Sequence, residues 1–226
     1  MTEALWRDAY ACEAEGTVAT VDGDTVRLDR TVFYPEGGGQ PADSGALHWD
    51  GGSARVMHVA KDGSDVVLTV DGAPLEAGIT VRQVLDWERR WAHMRMHTAL
   101  HLLSVVIPFP VTGGSIGAEK SRLDFAMPEP LDKEAVEAAL NELIERDMAV
   151  SDEWVVDEDL DEGLVKTLRV MPPRGQGRVR LVRIGDVDLQ PCGGTHVATT
   201  SEIGRIRIGK VEKKGRENRR VAIHFA

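Results

Sequence analysis

The chain has 226 residues, 42% hydrophobic and 28% charged, a composition ordinary for a globular protein and long enough for one large domain or two small ones. No apolar stretch approaches the ~20 residues of a membrane-spanning helix, and the start Met-Thr-Glu-Ala-Leu-Trp-Arg-Asp lacks the basic opening and apolar run of a secretion signal, which points to the cytoplasm. Two cysteines exclude a disulfide framework, and a formal charge of −10 argues against general nucleic-acid binding unless the charge is locally reversed.

Residues 1–87 read as β-rich. Thr17-Val18-Ala19-Thr20-Val21 and Thr25-Val26-Arg27-Leu28 flank Asp22-Gly23, a hairpin turn signal. Short strands are predicted at Ala46–Trp49, Ala54–Ala60, Val66–Val70 and Thr80–Leu85, most of them separated by Asp/Gly clusters. Strands this short and this evenly spaced predict a small β-barrel. One loop interrupts them, Thr31-Val32-Phe33-Tyr34-Pro35-Glu36-Gly37-Gly38-Gly39-Gln40-Pro41. Its glycines, Gly38 and Gly39 among them, allow positive φ and the close approach of a backbone or ligand. A plain tight turn would use them equally well, but the polar flanks Thr31, Glu36 and Gln40 point to a loop that lines a site.

A helix is predicted from Trp87 to about Ile107, ended by Pro108 and Pro110. It carries His97 and His101 at i and i+4, so both imidazoles project from one face, one turn apart. His93, one turn earlier, could compete with them as a ligand. Gly113-Gly114-Ser115 is expected to form a turn and Ser121–Phe125 a strand. A second helix, from Lys133 to Met148, has Asp132 as its N-cap and an apolar face of Val136, Leu140, Leu143 and Ile144. The acidic stretch Asp152–Glu162 reads as a solvated connection and Met171–Gly177 as a loop. Arg178–Ile184 and Val187–Gln190 form a predicted hairpin about Gly185-Asp186 that delivers Cys192. Ile203–Val211 and Arg219–Phe225 close the chain as strands. The fold class is therefore α+β: a small N-terminal β-barrel domain over 1–87, then a domain of sheet and helices over 88–226.

At Pro191-Cys192-Gly193-Gly194-Thr195-His196 a thiol and an imidazole again stand four positions apart, with two glycines between them. His97, His101, Cys192 and His196 together make a four-donor set of the kind that binds zinc. Several metal and thiol enzymes are excluded. A His-Glu-x-x-His peptidase needs Glu where this chain has Thr98. A zinc deaminase needs His-x-Glu and Pro-Cys-x-x-Cys, whereas Pro191-Cys192 is followed by Gly-Gly-Thr-His. A thiolate beside three histidines is better explained as a ligand than as a nucleophile, and no Gly-x-Ser-x-Gly elbow is present. Arg205–Arg220 carries a net charge of +6, leaving −16 for the remainder. Lys210, Lys213, Lys214 and Arg216 in this stripe suit a phosphate backbone docked in one orientation, or a solvated strand edge protected by charge.

His97-x3-His101 followed by Cys192-x3-His196 resembles the zinc-binding editing domain of alanyl-tRNA synthetases. The similarity extends through His97-Thr-Ala-Leu-His101-Leu-Leu, Cys192-Gly-Gly-Thr-His196-Val and Thr200-Ser-Glu-Ile-Gly204, and the Phe33–Pro41 loop is similar to that family's glycine-rich motif. It covers nearly the whole chain and leaves no room for an aminoacylation domain, which suggests the freestanding editing proteins. The resemblance implies a β-barrel plus a zinc-binding editing domain, with hydrolysis of serine, and in some members glycine, from tRNA(Ala). It implies one Zn²⁺ held by His97, His101, Cys192 and His196, a serine-selecting role for Thr31 and a place near the substrate for Gln40. Editing of serine on tRNA(Thr), a non-catalytic zinc-stabilised RNA-binding module and a zinc-dependent hydrolase of small esters are the alternatives.

Overall fold

A computed structural model describes residues 1–168 and 177–226. The loop expected from Met171 therefore lies outside the described residues as far as Gln176. The chain divides after Trp91 into two compact units, Met1–Trp91 and Ala92–Ala226.

The first unit contains β1 (Glu3–Ala4), β2 (Glu13–Asp22), β3 (Thr25–Leu28), β4 (Arg30–Thr31), β5 (Gly45–Trp49), β6 (Gly52–Asp62), β7 (Asp65–Gly72) and β8 (Thr80–Leu85). Six of these strands close into a barrel in the order β2-β3-β7-β6-β5-β8. The closing ladder, β2 on β8, runs from Glu13↔Val84 to Thr17↔Thr80. Closure removes the exposed edges that such short strands would otherwise leave. Alternation along each strand sends Val18, Val26, Leu28, Leu47, Val56, Leu68 and Val81 inward as one core. The expected hairpin is present, with Asp22 paired to Thr25 across Gly23.

The helix α1 (Trp87–Val106) starts in this unit and crosses the division. Near its start Arg90 is fully buried against fully buried Asp43, with Nη2 to Oδ2 at 2.5 Å. Arg90 also donates to the carbonyls of Ala9 at 2.9 Å and Val32 at 2.7 Å, while Asp43 accepts from the Tyr34 amide at 2.6 Å. This ion pair fastens both flanks of the glycine-rich loop to the helix.

The second unit contains β9 (Val111–Ser115), β10 (Lys120–Phe125), α2 (Lys133–Glu145), β11 (Val150–Val156), β12 (Arg178–Ile184), β13 (Asp188–Pro191), β14 (Ile206–Lys213) and β15 (Arg219–Phe225). They form two antiparallel sheets, β14-β15-β10-β9 and β11-β12-β13. Asp132 caps α2 by accepting from Ala135 N at 3.0 Å. Buried Asn141 fixes α2 on β14, bonding the amide of Ile206 at 2.9 Å and its carbonyl at 2.8 Å. Among the described residues no helix is long and apolar enough to cross a membrane.

Four expectations are corrected. Gly113-Gly114-Ser115 is strand, not turn, paired with Asp124, Leu123 and Arg122 of β10. Glycine suits this position because a Cβ on Gly114 would lie 2.9 Å from Leu123 Cδ2. Asp152–Val156 belongs to edge strand β11 and is not a loose connection. Its acidic side chains face basic residues of β12, Arg183 to Glu153 at 2.9 Å and Arg180 to Asp152 at 3.4 Å. The second helix stops at Glu145, three residues early, because Asp147 takes a φ of 50° that no helix continues. Residues 200–203 form a 3-10 turn, so the strand expected from Ile203 begins at Ile206.

Candidate metal centre and the glycine-rich loop

The stretch Trp87–Val106 contains no glycine or proline, so it holds a regular helix and presents His97 and His101 with ring centroids 5.2 Å apart. The β12–β13 hairpin brings the second pair of donors. Arg180 donates to the carbonyls of Cys192 at 3.2 Å and Gly194 at 2.8 Å, and accepts from Cys192 N at 3.1 Å through its own carbonyl. This holds the two-glycine turn that folds His196 back, its ring 4.3 Å from His97 and 4.6 Å from His101.

One donor atom from each of His97, His101, Cys192 and His196 lies within 4.8 Å of all the others. Cys192 Sγ is 3.4 Å from His97 Nε2 and 3.3 Å from His196 Nε2. Zinc bonds of about 2.0–2.3 Å in a tetrahedron separate their donors by roughly 3.3–3.8 Å; the two distances from Cys192 fall in that range, and the four donors together are compatible with a metal site. His93, the possible competitor, is not part of the group. The three histidines are buried and Cys192 is half-buried.

Electrostatics favour a thiolate at Cys192 and a neutral ring at His196, while they hold a proton on His101 that a bound metal would displace. Burial alone would raise the Cys192 thiol, but His97, His196 and His101 outweigh it and hold the thiol well below its ordinary value. Burial, aided by His97 and His101 against the pull of Cys192, lowers His196 to about 3 and leaves it a neutral donor. For His101 burial acts downward, yet its bonds to Asp188 and Cys192 win and push it up to about 9.

Asp188, which no local pattern in the sequence singles out, stands behind His101. Its Oδ2 lies 3.2 Å from His101 Nδ1 and accepts from Gln190 Nε2 at 2.8 Å, and its Oδ1 pairs with Lys166. A carboxylate behind a ligating imidazole orients the ring and raises its basicity. On a strand, Asp188 and Gln190 share a face with position 192.

The glycine-rich loop belongs to the first unit. Its apex is a tight turn in which Gly37 N donates to Gln40 O at 3.1 Å and Gln40 N to Gly37 O at 3.0 Å. Gly38 and Gly39 take φ of 60° and 85° there, which explains two of the three glycines. Thr31 and Gln40 are both fully buried. Thr31 Oγ1 donates to Gln83 Oε1 at 2.7 Å and accepts from Phe33 N at 3.2 Å, while Gln83 Nε2 donates to Arg30 O at 3.0 Å. Gln83 also escaped the sequence reading, since nothing local marks one strand glutamine as the partner of a residue fifty-two positions away.

The basic stripe lies on the β14–β15 hairpin. Lys210 and Lys214 pair with Glu212 at 2.6 and 3.0 Å, and Arg220 pairs with Asp124 at 2.8 Å. Lys213 and Arg216 are exposed at the turn.

The family described as "Threonyl and Alanyl tRNA synthetase second additional domain" matches residues 179–222, and "tRNA synthetases class II (A)" matches residues 7–89. It is 40% identical to the alanyl-tRNA editing protein AlaX-M of Methanosarcina barkeri and 39% identical to that of Methanosarcina acetivorans, with 98% of both chains covered in each case. It is also 38% identical to the alanine–tRNA ligase of Pyrobaculum calidifontis, over 93% of this chain and 25% of the ligase. The chain belongs to the family of alanyl-tRNA editing proteins, hydrolases that deacylate mischarged tRNA.

Proposed function

We propose that this protein is a cytoplasmic trans-editing hydrolase that cleaves the aminoacyl ester of tRNA(Ala) mischarged with serine, with the glycine ester as a candidate second substrate. In this reading residues 1–87 form the glycine-rich-loop barrel and residues 88–226 the editing domain, with one Zn²⁺ held by His97, His101, Cys192 and His196. The four-donor cluster in an alanyl-tRNA editing chain is the observation that carries the reading.

Zinc, when bound, supplies a positive charge and a rigid link between α1 and the Cys192–His196 turn. The aminoacyl ester is already activated, so a positioned water can suffice to cleave it, with the ion orienting that water or the substrate amine or only holding the pocket together. Serine exceeds alanine by one hydroxyl, which an apolar pocket rejects by only ~10²-fold. A site that hydrogen-bonds this hydroxyl rejects alanine by up to roughly 10⁴–10⁵-fold, because alanine leaves its polar groups unpaired. Thr31 fits this task as an acceptor: its hydrogen is committed to Gln83 and one oxygen lone pair remains after the Phe33 bond. Because Thr31 is enclosed, the substrate reaches that oxygen only when the loop around it yields. Gln40, Gly38 and Gly39 shape the same loop. Lys210, Lys213, Lys214 and Arg216 dock the tRNA backbone.

Thr31→Val keeps the shape and removes the acceptor. Serine-over-alanine discrimination in deacylation should fall at least tenfold; unchanged selectivity would end the role of Thr31. A second reading, removal of serine from tRNA(Thr), draws support from the match to a domain that threonyl synthetases share. Parallel assays on the two tRNAs separate the readings.

A further inference from the structure

The position after His97, where a His-Glu-x-x-His peptidase carries its glutamate, is here occupied by a threonine that touches another of the four donors. Thr98 is fully buried on α1. Its Oγ1 lies 2.9 Å from the carbonyl of Met94, one turn back, and 3.1 Å from Nδ1 of His196, and it receives Val197 N at 3.4 Å. The Met94 carbonyl and the Val197 amide each have a fixed polarity: the first only accepts and the second only donates. A hydroxyl has a single hydrogen. With that hydrogen on Met94 O, the Thr98 oxygen is an acceptor towards both Val197 N–H and His196.

We propose that Thr98 is a positioning residue that fixes the tautomer of His196. It accepts the Nδ1 hydrogen and so leaves the Nε2 lone pair facing Cys192 and the other donors. The inference rests on the proposed zinc reading. Asp188 does the same for His101 by accepting at Nδ1. The two histidines are thus set by acceptors of different strength, a carboxylate for one and a neutral hydroxyl for the other. The hydroxyl is itself oriented by the helix backbone, since a threonine in a helix naturally bonds the carbonyl four residues back. Helix register therefore sets the orientation of a ligand ninety-eight residues further along the chain. This also accounts for an uncharged residue here, since a glutamate would place a second buried carboxylate among the donors.

The test uses the full chain loaded with zinc. Competition with a chromophoric chelator gives the zinc affinity of wild type, Thr98→Ser and Thr98→Val. The valine variant, which loses the acceptor at nearly constant shape, should bind zinc about 10–100-fold more weakly, while serine restores affinity to within a few fold of wild type. Equal affinity for wild type and the valine variant would overturn the inference, as would a serine variant as weak as valine, since packing and not the hydroxyl would then matter. A reading that needs no variant comes from histidine-selective ¹⁵N spectra of the wild-type zinc form: His196 must show a protonated Nδ1, and a protonated Nε2 contradicts the proposal. A wild-type chain that takes up no zinc at all would instead remove the reading beneath it, and this inference with it.

Discussion

Replacing Asp43 with alanine strikes the one ion pair of the first unit whose two side chains are both fully buried among the described residues. Arg90 would keep its bonds to Ala9 O and Val32 O, but its charge would have no counter-charge, and Tyr34 N would lose its acceptor. Removing one partner of such a pair costs about 3–5 kcal/mol, because an uncompensated charge remains in a dry interior. The stranded amide, at about 1–3 kcal/mol on its own, overlaps with that figure because both losses belong to one network. Against a total stability of about 5–15 kcal/mol, Asp43→Ala should therefore remove about a fifth or more of what holds the unit folded. Arg90→Met, which leaves a buried carboxylate, should cost a comparable amount. The double variant Asp43→Ala/Arg90→Met should recover part of the loss, since no buried charge is left. Hydrogen exchange read on peptides from residues 1–91 is the suitable assay, because a chain of two units need not unfold in one step. A loss below about 1 kcal/mol for Asp43→Ala, or a double variant that loses the full sum of the singles, would refute the reasoning.

Three further outcomes are expected. Cys192→Ser should lower the metal content of the purified chain from near one zinc per chain to near none, with loss of deacylation; a fully loaded serine variant would contradict the ligand assignment. Hydrogen bonds from Arg220, opposed by burial and helped by Arg122, hold the Asp124 carboxyl below its ordinary value. A carboxyl depressed by folding stabilises the fold above its unfolded value near 3.9, a contribution lost as pH falls through the lower folded value. Arg220→Ala should thus cost up to about 1 kcal/mol at pH 7, the pair being partly exposed, and progressively less as acid protonates the folded carboxyl; a loss that does not shrink with falling pH would contradict this. Neutralising Lys213, Lys214 and Arg216 should weaken tRNA binding and flatten its dependence on salt by about 2 in log–log slope, because Lys214 is already tied to Glu212. An unchanged slope would exclude this hairpin as the docking face.

What the sequence made legible was governed by short-range pattern. The barrel strands follow from two-residue alternation broken by Asp-Gly turns, and the donor set follows from two i, i+4 pairs, one on a helix and one across Gly193-Gly194. What it concealed depends on pairing between distant positions. Gly113-Gly114 looks like a turn until Leu123 is laid over it, and Asp152–Val156 looks like solvated linker until Arg180 and Arg183 come alongside. Arg90 and Asp43 stand forty-seven residues apart, and neither is marked locally as buried. Asp188 and Thr98 support ligands that lie on other elements. The residues that donate to the site were visible, whereas those that orient the donors needed the fold.

The most direct test is amino-acid release by catalytic amounts of the protein from Ser-tRNA(Ala), with Ala-tRNA(Ala) and Ser-tRNA(Thr) in parallel. Rapid loss of serine from tRNA(Ala), with the other two esters spared, is the predicted result. Survival of Ser-tRNA(Ala) while the tRNA remains bound would contradict it and leave a zinc-stabilised RNA-binding module in place of an enzyme.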